Sequence, residues 1–100
     1  MPLVLYYRPS FKRCLKQLDE SQKKTVALIL ESLEVYYSKN CDIVQAQRIT
    51  PRFFYKKLRN PYYEAGIESN VRVVLRREAG KCIAILAGNH DQIRKFLANV

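Results

Sequence analysis

The chain has 100 residues, 48% of them apolar, and it carries 18 Lys and Arg against 9 Asp and Glu, a formal charge of +9. That length holds one compact core rather than two, and that apolar share excludes a disordered chain. A cationic excess of this size points to a polyanionic partner, nucleic acid ahead of an acidic protein or an anionic membrane.

Leu3 to Tyr7 is a short apolar and aromatic run ending at Arg8-Pro9, as a strand does where it meets a helix start. From Pro9 the period changes. Phe11, Cys14, Leu15 and Leu18 fall on one face of a short helix, which leaves Lys12, Arg13 and Lys16 to water. A second helix begins near Asp19 to Ser21, where DESQ supplies a capping residue and early acids that suit the positive end of the helix dipole. Val26, Ile29, Leu30, Leu33 and Tyr37 keep a helical period behind it, so the two helices are expected to pair over one side of a sheet.

Lys39 to Pro51 reads as a connection with one helical turn around Ile43 to Ala46. Three strand-like runs follow, Tyr62 to Ile67, Val71 to Arg77 and Lys81 to Ala87. The breaks between them, Glu68-Ser69-Asn70 and Glu78-Ala79-Gly80, have the length of turns joining antiparallel neighbours. Ile93, Phe96, Leu97 and Val100 then take helical spacing, in a last helix that starts near Asn89 to Asp91. The predicted order is β-α-α-β-β-β-α: an α+β domain with a small antiparallel sheet packed against a two-helix hairpin. In the middle strand Val71, Val73 and Leu75 alternate with Arg72, Val74 and Arg76, so one face is apolar and the other, expected to be open, carries two guanidinium groups.

Cys14, Cys41 and Cys82 are odd in number, with no CxxC pair and no histidine placed to complete a zinc site, so they read as thiols of a reducing compartment. No metal or cofactor is expected. The opening MPLVLYYRPSFKR has too short an apolar run for a signal peptide, and no stretch reaches membrane-spanning length, which makes a cytoplasmic location the expectation.

The charge is concentrated in RITPRFFYKKLR, residues 48 to 59, where Arg48, Arg52, Lys56, Lys57 and Arg59 stand with no acid among Phe53, Phe54 and Tyr55, ahead of Tyr62 and Tyr63. Cations beside rings suit unpaired RNA, whose phosphates pair with the cations and whose bases stack on the rings. Phe53 and Phe54 are read as core, since a small domain without tryptophan needs aromatic volume inside. Lys56, Arg59, Arg76, Arg52 and Tyr63 are the RNA-binding candidates. Arg72, held on a strand, has the planar donors to steady charge on a phosphate, and it has Glu64 or Glu68 as an alternative ion-pair partner. His90, the one histidine, follows the last strand and is placed to reach the same face as a base or an acid.

The order of elements, the run YKKLRNPYYEAGIESNVRVVLRREAGKCIAILAGNHDQIRKFL and the small basic chain together resemble the RelE/ParE superfamily of bacterial toxins. The match spans nearly the whole chain and is densest from Tyr55 to Leu97. The resemblance implies a toxin of a type II toxin-antitoxin pair. RelE-like members cut mRNA in the ribosomal A site without a metal, by attack of the ribose 2′-hydroxyl on the adjacent phosphate, and a small antitoxin protein blocks them. Carried over, Arg72 matches the strand arginine at the scissile phosphate, Lys56 and Lys57 the basic residues before the following strand, and His90 the histidine that some members place after the last sheet strand. Lys57 and Glu64, the latter as a partner that orients or assists the base, complete the catalytic candidates. The implied partners are the antitoxin, mRNA and the ribosome. Two positions depart from the pattern: Gly66 stands where many relatives have arginine, and Asp91, Gln92 and Ile93 follow the histidine where nuclease members often have a tyrosine. A ParE-like gyrase poison and a non-catalytic RNA- or antitoxin-binding relative are the alternatives.

Overall fold

Nine elements are resolved in a computed structural model, which describes residues 4–67 and 70–100. They are β1 (Val4–Tyr7), α1 (Pro9–Lys16), α2 (Glu20–Ser38), α3 (Ile43–Ile49), β2 (Phe54–Arg59), β3 (Tyr62–Gly66), β4 (Arg72–Glu78), β5 (Lys81–Gly88) and α4 (His90–Ala98). The strands form one sheet in the order β1-β5-β4-β3-β2. β2 through β5 pair antiparallel, while β1 joins β5 in parallel and makes the sheet mixed.

The class is the α+β class read from the sequence, with two additions. The run FYKKLR is a strand, β2, at one edge of the sheet; edge strands tolerate charge, so its lysines hide the alternation that marks a strand. The expected single turn near Ile43 extends to two turns because the Asp42 carboxylate caps it, accepting from the Val44 amide at 2.9 Å. Leu3, at the expected start of the first strand, and Glu68 and Ser69 in the first turn lie outside the described residues.

Helix starts follow side-chain chemistry. Pro9 opens α1, and Asp19 closes a capping box with Gln22 at the head of α2, its side chain accepting from the Gln22 amide at 2.8 Å. Phe11, Val26, Ile29, Leu33 and Ala46 from the three helices then pack on Ala65, Val73, Leu75, Cys82, Ala84 and Ala87 of the sheet. An extra residue in β5, Ile85, separates the Val74↔Leu86 pair from Leu75↔Ala84, and its carbonyl accepts from the Ser10 hydroxyl at 3.0 Å.

Below the C-terminal end of α2, the Tyr37 hydroxyl lies 2.7 Å from that of Tyr55 and 2.9 Å from Cys82 Sγ, and the Tyr55 and Tyr63 rings stack at 5.3 Å. Burial pushes both Tyr37 and Tyr55 hydroxyls up and pushes the Cys82 thiol up to about 11, with the Tyr37 hydroxyl drawing the thiol part of the way back.

The second face of the sheet is not fully open, as the sequence suggested it would be. α4 crosses part of it: Ile93 and Val74 are buried, and Phe96 meets the Tyr62 ring edge-on at 5.2 Å. Arg59 fastens the far end of this helix, donating from Nη2 to the carbonyls of Leu97 and Val100 at 2.8 Å each.

Candidate functional site

Residues paired across strands share a face, so the register defines two neighbouring rows on the face opposite α2. One is Phe54↔Gly66↔Arg72↔Gly88 and the next is Lys56↔Glu64↔Val74↔Leu86. α4 covers the Val74 end of this face and leaves the Arg72 end bare.

Glu64 is only 2% exposed, and a carboxylate so placed is tolerable only when cations meet it. Arg72 Nη1 donates to its Oε1 at 3.4 Å, and Lys56 Nζ stands 3.2 Å from its Oε2, near enough to pair charge though not along a hydrogen-bond direction. The Arg72 side chain keeps 29% of its surface exposed, so its guanidinium is anchored from beneath and presented outward. Of the two ion-pair partners read for Arg72, Glu64 holds it; Glu68 lies outside the described residues.

His90 is the first residue of α4. Asn89 is the cap, accepting from the Gln92 amide at 2.9 Å, while Gln92 Oε1 accepts from the Asn89 amide at 2.8 Å. This capping box lies against Gly88, where an added Cβ would come within 3.0 Å of Gln92 Cδ. The glycine therefore leaves room for the Gln92 side chain that closes the box at the start of α4. Arg72, His90, Asn70, Asn89 and Asp91 line one open cleft of about 290 Å³. A second depression, about 390 Å³, adjoins it through Asp91 and is lined by Arg94, Lys95 and Ala98 of α4.

The structure thus brings Arg72 and His90 to one cleft, with Glu64 and Lys56 beside it, tied to Arg72 by ion pairs. It does not bring the other candidates to the cleft. Lys57 has the opposite phase on β2 and pairs with Tyr63, on the helix side, so it is withdrawn from the catalytic set. Tyr63 is stacked on Tyr55 there, 5.3 Å below the Arg77 guanidinium, and is not available to RNA on the other face. Arg59 is committed to the end of α4. Arg76 shares the Arg72 face at its far end, where Nε lies 2.7 Å from Glu78 Oε1 and the guanidinium covers the Tyr62 ring. Arg52 lies before β2, outside the strands. Glu64 pairs with Arg72 and Lys56 and does not line the cleft beside His90.

The reading of Phe54 as core is also corrected. Phe53 is 1% exposed in the helix-side core, whereas Phe54, one residue on, turns to the other face and stands partly exposed beside Arg72 and Lys56. Asn70, Asn89 and Asp91 were missed as cleft residues; the turn and cap chemistry of Asn and Asp marks loops in general, not this one. Among the described residues no group of three His, Cys, Asp or Glu side chains could hold a metal ion, and no helix is long and apolar enough to cross a membrane.

No protein-family model and no curated protein matches the chain. Solved structures do. The RelB–RelE antitoxin–toxin complex from Methanococcus jannaschii matches with a TM-score of 0.62 at 15% identity, over 91% of this chain and 96% of that one. A copper-bound mutant toxin from Helicobacter pylori matches with 0.55 at 22% identity, over 91% and 98%. The RelBE2 toxin–antitoxin complex from Mycobacterium tuberculosis matches with 0.50 at 10% identity, over 90% and 100%.

The chain has the RelE-like toxin fold. Within that RelE-like frame, β4 carries Arg72 and the β5–α4 junction carries His90, two of the five residues that line the cleft, and both departures seen in the sequence acquire a structural content. Phe54 lies where a side chain at position 66 would project, and Phe96, the nearest aromatic after His90, is spent on packing α4 against Tyr62.

Proposed function

We propose that the protein is the toxin of a type II toxin-antitoxin pair and that its cleft cuts messenger RNA on the ribosome, which stops translation. The observation that carries this reading is the convergence of Arg72 from β4 and His90 from the start of α4 on one open cleft. The RelE-like fold and the charge of +9 support it.

The chemistry follows from the side chains present. The imidazole of His90 takes the proton of a ribose 2′-hydroxyl, the 2′-oxygen bonds to the adjacent phosphorus, and the bond from phosphorus to the 5′-oxygen breaks. Water supplies the proton that the leaving oxygen acquires, and the products are a 2′,3′-cyclic phosphate and a 5′-hydroxyl. Arg72 pairs with the non-bridging oxygens, on which charge builds in the transition state. Lys56 adds a second cation, and Glu64 is a positioning residue that fixes both. The partner that restrains this activity is an antitoxin, and a cationic surface suits an acidic one; the neighbours solved as RelB–RelE and RelBE2 complexes support that pairing.

Purified protein added to a translating extract provides the test, with primer extension on the message and analysis of the end groups. New ends carrying cyclic phosphate are the expected result. Intact message under conditions where the protein still arrests growth would sink the nuclease reading; DNA damage and filamentation in place of it would favour the gyrase-directed alternative.

A further inference from the structure

Phe54 is an aromatic residue beside Arg72 that the cleavage chemistry leaves unused. Its ring lies over Gly66: a Cβ at that position would sit 2.7 Å from Phe54 Cζ and 2.8 Å from Cε1, closer than carbon atoms approach without one of them moving. A glycine there is what leaves room for the tip of the ring against β3. The same ring has the Arg72 guanidinium 5.3 Å and the Lys56 ammonium 5.8 Å from its centroid. It is partly exposed, on the row that continues through Gly66 and Arg72 to Gly88, two residues before His90.

We infer that Phe54 is a stacking platform for the base of the nucleotide whose phosphate Arg72 holds. The inference rests on the RNA reading above and deepens it. Arg72 and Phe54 are near neighbours, and a nucleotide likewise joins its phosphate to its base through one sugar. The ring is partly exposed, and the part of it that the two cations leave open is free for a base. Stacking needs an unpaired base and accepts any of the four, so Phe54 fixes the register of a single strand in the cleft, not its sequence. A ring that only shielded the Glu64 ion pairs from water would give no dependence on the presence of a base.

The test uses the full chain and fluorescein-labelled single-stranded 2′-fluoro RNA, which cannot cyclise, with one abasic site moved along it. In the wild type, one abasic position is expected to weaken binding by roughly tenfold or more. In Phe54→Leu the intact RNA binds that much more weakly and the abasic penalty disappears, while Phe54→Tyr keeps both. Gly66→Ala, which displaces an unaltered ring, is expected to behave as Phe54→Leu does and guards against a leucine variant that misfolds. An abasic penalty that persists undiminished in Phe54→Leu and Gly66→Ala overturns the stacking role alone. A wild type that binds single-stranded RNA with no abasic penalty, or binds none, overturns the stacking role, while the cleavage assay in a translating extract decides the nuclease reading separately.

Discussion

In the proposed mechanism Glu64 acts through the cations it holds and not on the substrate. It is buried, it meets Arg72 on one oxygen and Lys56 on the other, and it competes with any phosphate for both cations. Glu64→Gln is therefore expected to tighten RNA binding, since a negative charge is lost beneath two cations, and to slow cleavage, since the guanidinium is no longer held. A misplacement of about 1 Å can cost about 10²-fold in rate. Equilibrium binding and single-turnover rates should move in opposite directions; a variant that loses both in step would return Glu64 to a purely structural role.

Cys82 gives a prediction of another kind. Its thiol titrates near 11 in the folded chain against 9.0 for an ordinary thiol, because burial disfavours the thiolate. Its contribution to stability is complete below pH 9 and is lost as pH rises through 11, and the buried Tyr37 and Tyr55 hydroxyls act in the same direction. The melting temperature is expected to fall across that window, and Cys82→Ala to flatten part of the fall. At mildly alkaline pH, iodoacetamide should label exposed Cys41 first and Cys82 only on unfolding. Both residues were legible in the sequence as cysteines and no further: depth is a property of the whole fold. Phe53 and Phe54 make the same point, since adjacent strand residues face opposite ways and only the register tells which ring goes inside.

Among the elements, α4 has the most to do with the site, and its N-terminus is where the helix is fixed. The Asn89–Gln92 box can close only because position 88 has no side chain. Asn89→Ala is expected to cost about 1 kcal/mol, the usual effect of losing a cap. Gly88→Ala should cost at least as much and should slow cleavage more than its loss in melting temperature explains, because the imidazole moves with the helix start. Thermal melts beside rates on folded protein check this; full activity in Gly88→Ala would show that His90 needs no such positioning.

Much of the element order was readable. The helical periods of α1 and α2 are strong signals because each helix buries one face, and in β4 the arginines at alternate positions mark the strand although Val74 between them is buried too. β2 escaped because a charged edge strand has no such face to declare, and α4's place across the second face depends on Phe96 meeting Tyr62, a contact between residues far apart in the chain. The likeness of ordered short motifs placed Arg72 and His90 in the sequence; their shared cleft is a fact of three dimensions.

At the scale of the molecule, part of the charge of +9 borders the cleft. Arg72 stands at the bare end of the sheet face with Lys56 on the neighbouring row, and the cleft continues through Asp91 into the depression lined by Arg94 and Lys95. A strand of RNA whose phosphate sits at Arg72 has a cationic path along α4. Arg94→Glu with Lys95→Glu is expected to weaken binding to all sequences alike and to lower the slope of log affinity against log salt by roughly one per lost phosphate contact. An unchanged slope would place the RNA elsewhere.

The most direct measurement is the rate of message cleavage in a translating extract for wild type, His90→Ala, Arg72→Ala and the double variant, each first verified as folded. His90→Ala is expected to slow cleavage by about 10² to 10⁴, Arg72→Ala by more, and the double variant by less than the product of the two, since both groups act on one phosphate in one step. Cleavage unchanged in the single variants, or a double variant equal to their product, would contradict a shared site.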